Sequence, residues 1–317
     1  MRLSRLVSLM LTAGCPTVGG QAVLEGVMMR NGDAYALALR RPDGEIVARR
    51  LPWFSLTRHP WLKKPFVRGF PVLIETLVNG IKALNRSAEQ QAEGSEEELK
   101  GWHLVLTLLL SLAVAVGLFV VVPHLLSLLM QWLDLGGGVE GLTFHLWDGL
   151  FKCLIFMGYI WAISFVPDIR RVFQYHGAEH KTINAYEHGA PLTPESVAHY
   201  SRIHRRCGTS FLLVVIVVSI IVFSLIGGGS VLWRVGSRVV LLPLVIGLSY
   251  EFIRGASNSD TWGKYCIMPA LSLQYITTRE PSADQLEVAI AALDVALDPD
   301  KENKDTTSGG AEDGTDR

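Results

Sequence analysis

The sequence predicts an α-helical polytopic membrane protein with about four transmembrane helices and a small N-terminal cytoplasmic α+β region. Three observations carry this. The 317-residue chain is 49% hydrophobic and 19% charged, with a mean hydropathy of +0.30, which is too apolar for an ordinary soluble domain and too long for one membrane hairpin. Long apolar runs begin only after residue 100. Before that point the pattern is first alternating and β-branched, then helical, as in a small packed region. The formal net charge of -1 excludes the usual nucleic-acid binder, which carries a basic face or stripe.

Residues 1–18 form an N-terminal segment in which Arg2 and Arg5 precede a short apolar run and then Thr12-Ala13-Gly14-Cys15. This resembles a lipoprotein signal, but the apolar core is very short and Thr12 stands where a leucine is usual. Residues 19–51 read as a small antiparallel sheet, with strands at 22–24, 34–39 and 45–47 and a Pro42-Asp43-Gly44 turn. From 70 to 88, Val72, Leu73, Leu77, Ile81 and Leu84 recur at helical spacing. That amphipathic helix either covers the sheet or lies on the inner membrane face, and its weak basicity favours the sheet. An acidic linker at 90–98 closes the region, which spans 19–100.

Transmembrane helices one and two fall within 101–166. The first covers 102–130 without a charge, and the second, 144–166, holds Asp148 and Lys152 at i, i+4, a spacing that lets them neutralise each other. Helices three and four fall within 209–253: 211–232 ends at a glycine triplet, and 239–253 is short and contains Pro243 and Glu251. Residues 265–276 are apolar but too short to span. Within the C-terminal region, 254–297, an amphipathic helix is predicted at 284–297, and the polar tail 298–317 is expected to be disordered. Lys and Arg are dense before the first span and absent from 131–143, which places the N-terminus inside. The same count returns the loop 167–208 and the C-terminus to the cytoplasm; only Arg234 and Arg238 fit it poorly.

Chemistry concentrates in that 167–208 loop. His176, Glu179 and His180 stand at i, i+3 and i+4, so on a helix they share one face. His-x-x-Glu-His reverses the zincin order, in which two histidines hold a metal and the glutamate handles the proton of a bound water. Glu187 lies one helical face further on, and His204-Arg205-Arg206-Cys207 follows at the mouth of the third span. The candidate ligands are therefore His176 and His180 first, then Glu187 or His204, with Cys207. Zinc suits such nitrogen, oxygen and thiolate donors. Glu179 is the candidate catalytic base, and Arg205 and Arg206 suit an anionic substrate group. A plainer reading stands beside each: the motif arises by chance, Cys207 is a small packed residue, and Glu251 snorkels to the interface. The four cysteines lie far apart and do not form a disulfide framework.

The runs 20–30 (Gly-Gln-Ala-Val-Leu-Glu-Gly-Val-Met-Met-Arg), 175–182 (Tyr-His-Gly-Ala-Glu-His-Lys-Thr), 204–211 and 277–281 resemble the bacterial YqhQ-like family over roughly residues 19–293. The resemblance implies a bacterial inner-membrane location and a metal-dependent membrane enzyme, with no substrate or reaction attached. The expected function is a zinc-dependent hydrolase at the cytoplasmic membrane face, acting on a lipid-linked, phosphorylated or peptide substrate. The rival is a non-catalytic transporter or assembly factor in which Glu251 or Asp148 matters; the paired internal repeats of many transporters are not evident.

Overall fold

The computed structural model describes residues 18–92, 101–135, 141–226, 231–257, 259 and 262–302. The lipoprotein-like segment, most of the acidic linker and most of the polar tail lie outside the described residues. The elements in order are strands β1 (Gly19–Val23), β2 (Gly26–Asn31), β3 (Ala34–Arg40) and β4 (Ile46–Pro52), then helix α1 (Gly69–Ala92). There follow α2 (Gly101–Val116), a π-helical turn (Gly117–Val121), α3 (Val122–Trp132), α4 (Leu142–Ile163), α5 (Pro167–Glu187), α6 (Pro194–Ala198) and α7 (Gly208–Ser224). The last are α8 (Val231–Ser257), α9 (Trp262–Ser272), α10 (Gln274–Thr277) and α11 (Ala283–Leu297).

The strands form a four-stranded antiparallel meander in sequence order. Its two faces follow the period-2 alternation of the strands. Val27, Met29, Ala36, Ala38 and Ala48 share one cluster with α5 and α11. Met28, Tyr35, Leu37 and Leu39 share the other with Trp53 and Ala83 of α1. The sheet is thus covered on both sides, and this explains why β2 is not separated from its neighbours in the sequence reading: a strand buried on two faces carries no polar alternation. The 41–45 turn closes as expected, with the Gly44 amide on the Arg41 carbonyl at 2.9 Å and Gly44 at φ +92°, a conformation glycine adopts without strain.

Helix α11 matches the predicted 284–297 closely in length but not in character. Leu286, Val288, Ala289, Ile290, Ala292, Leu293, Val295 and Ala296 are all buried, so it is a central core helix rather than an amphipathic one. Its alanines meet the small side chains Ala36, Ala38 and Ala48 of the sheet, and that pairing lets helix and sheet approach closely. A Ser282–Gln285 capping box starts it.

Helix α1 covers the opposite face, as expected, but with the unexpected side. Glu75, Asn79, Ala83 and Ser87 are buried, whereas Leu77, Ile81 and Leu84 are exposed. Periodicity reports which face of a helix is apolar, not where that face points.

Among the described residues, three helical segments are long and apolar enough to cross a membrane: Leu109–Trp132, Leu142–Ile163 and Gly236–Ser257. The first joins α2 and α3 through the π turn. The third predicted span is instead the 17-residue α7, about 25 Å long at 1.5 Å per residue and short of the ~30 Å hydrocarbon layer. It stops at Ser224, short of the predicted end at 232. The predicted fourth span, by contrast, sits inside the 27-residue α8, whose Pro243 does not end it. Asp148 and Lys152 pair at 2.5 Å as anticipated. Glu251 takes both guanidinium arms of Arg68, at 2.7 and 2.6 Å, a bidentate tie between α8 and the chain entering α1.

Glu75 organises the segment between β4 and α1. Fully buried, its carboxylate accepts from the amides of Leu56 and Thr57 at 2.6 Å each, the Ser55 hydroxyl at 3.0 Å and the Trp53 indole at 3.3 Å. Burial alone would raise its pKa, but the donors from Thr57, Trp53 and Ser55 outweigh it and hold the group below 4.5. Its stabilisation is therefore complete above pH ~4.5 and lost as pH falls through the depressed value. Glu75→Gln, which turns an amide NH₂ toward these donors, is expected to cost roughly 1–3 kcal/mol, read as a lower melting temperature of the full chain in detergent at neutral pH. An unchanged melting temperature would contradict this account of the loop.

Candidate metal centre

The predicted 167–208 loop is mostly helix. Pro167, whose fixed φ suits a first helical position, starts α5 immediately after α4, and the helix then runs unbroken to Glu187. Every residue from Tyr175 to Ile183 is buried except His176, which is partly exposed. Spacing puts His176, Glu179 and His180 on one face, toward the 202–207 segment and the chain after α9.

Two main-chain carbonyls orient the imidazoles. His176 Nδ1 lies 2.8 Å from the Thr277 carbonyl and His180 Nδ1 lies 2.6 Å from that of Arg202. A carbonyl only accepts, so each Nδ1 carries the hydrogen and each Nε2 keeps its lone pair for a ligand. His176 Nε2 is 3.2 Å from the sulfur of Cys207, the residue that precedes the first turn of α7. The ligand atoms of His176, His180 and Cys207 all lie within 4.8 Å of one another. These three are a group able to hold a metal ion.

Glu179 sits directly beside it. Its carboxyl oxygen is 3.9 Å from His176 Nε2 and 3.7 Å from His180 Nε2, and the Gly20 amide donates to it. A Cβ at position 20 would come within 2.6 Å of the Glu179 side chain, so only glycine lets β1 approach this closely.

Burial sets the electrostatics. It pushes the Glu179 carboxyl up to about 8 against the opposing influence of His176, holds His180 well below 6.5 and His204 down to about 4. The Cys207 thiol is raised by burial, partly offset by hydrogen bonds from Thr209 and Ser210 at the start of α7. The apolar surroundings thus favour neutral donors, and a divalent cation reverses that preference for carboxyl and thiol.

The remaining candidates form a second constellation. Glu187 accepts from Arg206 and lies 3.6 Å from His204 Nε2, while the His204 ring is 5.6 Å from that of His180. Glu187 and His204 are therefore neighbours of the three-donor group rather than members of it. The His204 main chain is clamped by Gln274, whose oxygen accepts from its amide at 2.8 Å and whose NH₂ donates to its carbonyl at 2.8 Å. The Arg205 carbonyl accepts from Ser257 at the end of α8. His188 and His199 stand exposed outside the site.

Sequence reasoning did not assign roles to Gly20, Gln274, the Thr277 and Arg202 carbonyls, or Asn184, whose amide bonds the Ser201 and Ile203 carbonyls at 2.7 and 3.1 Å. Carbonyl acceptors leave no side-chain signature. A signal existed all the same, since Gly20 and Thr277 open two of the runs that carry the family resemblance.

A family profile described as "Protein of unknown function (DUF1385)" matches residues 64–299. Among curated proteins, the "Uncharacterized protein YqhQ" of Bacillus subtilis (strain 168) is 38% identical over 298 residues, covering 89% of this chain and 92% of the relative. No solved structure matches.

One substitution tests whether the main-chain clamp governs the site. A Cβ at Gly177 would lie 2.1 Å from the Arg279 carbonyl, so Gly177→Ala must displace the segment that holds His176 through Thr277. Affinity for a divalent metal, measured by competition with a chelator, is expected to fall 10- to 100-fold, as outer-shell changes commonly do. The control Gly158→Ala, with open space around its added Cβ, is expected to leave affinity unchanged; equal behaviour of the two would contradict the clamp.

Proposed function

We propose, on the premise that this chain belongs to the DUF1385 family, that it is a zinc-dependent hydrolase acting at the cytoplasmic face of a bacterial inner membrane. The observation that carries the reading is the convergence of His176, His180 and Cys207 within 4.8 Å, with both imidazole tautomers set by carbonyls. Two nitrogens and a sulfur suit zinc, and three protein donors leave a tetrahedral position open, the mark of a catalytic rather than a structural site. The bound ion would supply Lewis-acid polarisation of a substrate or water oxygen.

The chain's own residues have separate duties in this scheme. Glu179, under 4 Å from both Nε2 atoms, accepts the proton of the attacking water and returns it to the leaving group. Gly20 holds that carboxyl in place through its amide. Cys207 adds a soft donor at the start of α7, where helix N–H groups favour thiolate. His204, whose ring stands 5.6 Å from that of His180, is a further candidate donor, with Glu187 behind it. Arg205 and Arg206 border the site on the 202–207 segment and suit an anionic substrate group.

Position argues for a membrane-borne substrate. The ligand helix α5 leaves directly from α4, and Cys207 opens the apolar α7, so the site lies at the base of the apolar helices. A lipid-linked, phosphorylated or peptide substrate held at the bilayer surface would reach it. The density of Lys and Arg before the first span, against their absence from 131–143, supports a cytoplasmic N-terminus and site.

The enzyme reading separates from the non-catalytic one by comparing two carboxylates. Glu179→Gln is expected to leave a folded, metal-loaded protein whose activity is down about 10²- to 10⁴-fold, the usual range for loss of a general base; it would fail to restore a strain lacking the gene. Glu251→Gln, which weakens the ties to Arg68 and the Phe66 amide, is expected to restore that strain. The opposite pattern would favour transport or assembly.

A further inference from the structure

Helix α1 is inverted relative to an ordinary surface helix, with its polar stripe inside. Every member of that stripe is satisfied. Glu75 holds the preceding loop, the Asn79 amide donates to the Phe54 carbonyl at 2.9 Å and the Glu75 carbonyl at 2.7 Å, and the Ser87 hydroxyl donates to the Leu24 carbonyl at 2.8 Å. Those bonds fix the rotation of the helix. About half a turn round, Leu77, Ile81 and Leu84, at i, i+4 and i+7, are 54%, 57% and 41% exposed, an apolar stripe that the fold cannot turn inward.

The exposed apolar surface continues in the approach to the helix, where Trp61, Phe66 and Val67 are also exposed. Phe66 holds φ +66°, a strained conformation for a bulky side chain. Its carbonyl lies where a Cβ on Gly247 of α8 would come within 1.9 Å, and Arg68 grips Glu251 two residues on. This seam ties the apolar strip to Gly236–Ser257, a segment long and apolar enough to cross a membrane. Lys63 and Lys64 are exposed in the approach to the helix.

We propose that α1 and residues 61–67 lie on the surface of the same bilayer that α8 enters, with Trp61, Phe66, Leu77, Ile81 and Leu84 at the headgroup–acyl boundary and Lys63 and Lys64 against anionic headgroups. Lipid is the occupant that fits: the strip is continuous with α8 through the Phe66–Gly247 seam, and it combines aromatic, aliphatic and lysine side chains as interfacial segments do. The α1 side of the sheet then faces the membrane, while its other face packs on α5 and α11. This inference stands apart from the hydrolase reading and does not need a metal.

The test is photo-cross-linking of the full chain in vesicles of phosphatidylethanolamine and phosphatidylglycerol, with a benzophenone amino acid at Leu77 or Ile81 and, as a control on the far side of the sheet, at Glu195 of α6. These side chains are exposed, so each variant is expected to keep the wild-type gel-filtration profile. Lipid adducts by mass spectrometry at 77 and 81, but not at 195, are the expected result. A cross-linked second copy at 77 and 81, or no lipid adduct there in a folded protein, would overturn the proposal.

Discussion

Burial of one turn of α5 is the constraint on which the structure depends. Between Tyr175 and Ile183 only His176 keeps contact with solvent, so a stretch containing glutamate, histidine and lysine must find partners for all of its polar atoms inside the protein. The imidazoles and the lysine do so largely through main chain, on the Thr277 and Arg202 carbonyls and, for the Lys181 ammonium, on the Ala198 carbonyl; the Thr182 hydroxyl has no such partner. The opposite side of the same helix, through Ala178 and Ala185, packs into the core shared by the sheet and α11. A helix so enclosed has almost no rotational freedom. That rigidity places two Nε2 lone pairs and a sulfur around one point.

The rest of the architecture follows from keeping that turn enclosed. Strand β1 reaches Glu179 because Gly20 has no side chain, and the segment after α10 reaches α5 because Gly177 has none. Gln274 joins the 202–207 segment to α7 by bonding both the His204 main chain and the Ser210 hydroxyl. The apolar helices are tied to the layered α/β part by the α4–α5 junction and by Arg68 on Glu251. That pair is partly buried and bidentate, the geometry in which an ion pair contributes measurably rather than marginally.

How much of this was legible in the sequence depends on what each signal encodes. The shared face of His176, Glu179 and His180 follows from helical spacing, and the length of α11 from its apolar pattern. The arrival of Cys207 beside them needed tertiary structure, and so did the departure of Glu187 toward Arg206: from sequence, both were merely donors in the same forty-residue stretch. The inward side of α1 could not be read at all, because its rotation is set by hydrogen bonds of Glu75, Asn79 and Ser87 rather than by hydrophobic contact. The third apolar run was read as longer than α7 because apolar composition continues past Ser224, where the helix stops.

The central claim, that α5 and Cys207 assemble a zinc site, is tested most directly by elemental mass spectrometry of the full-length, detergent-purified protein beside its His176→Ala/His180→Ala variant. The account predicts near-stoichiometric zinc in the wild type and its loss in the variant, with both proteins folded by circular dichroism. Folded wild-type protein that carries no metal, and takes none up on dialysis against zinc, would contradict it.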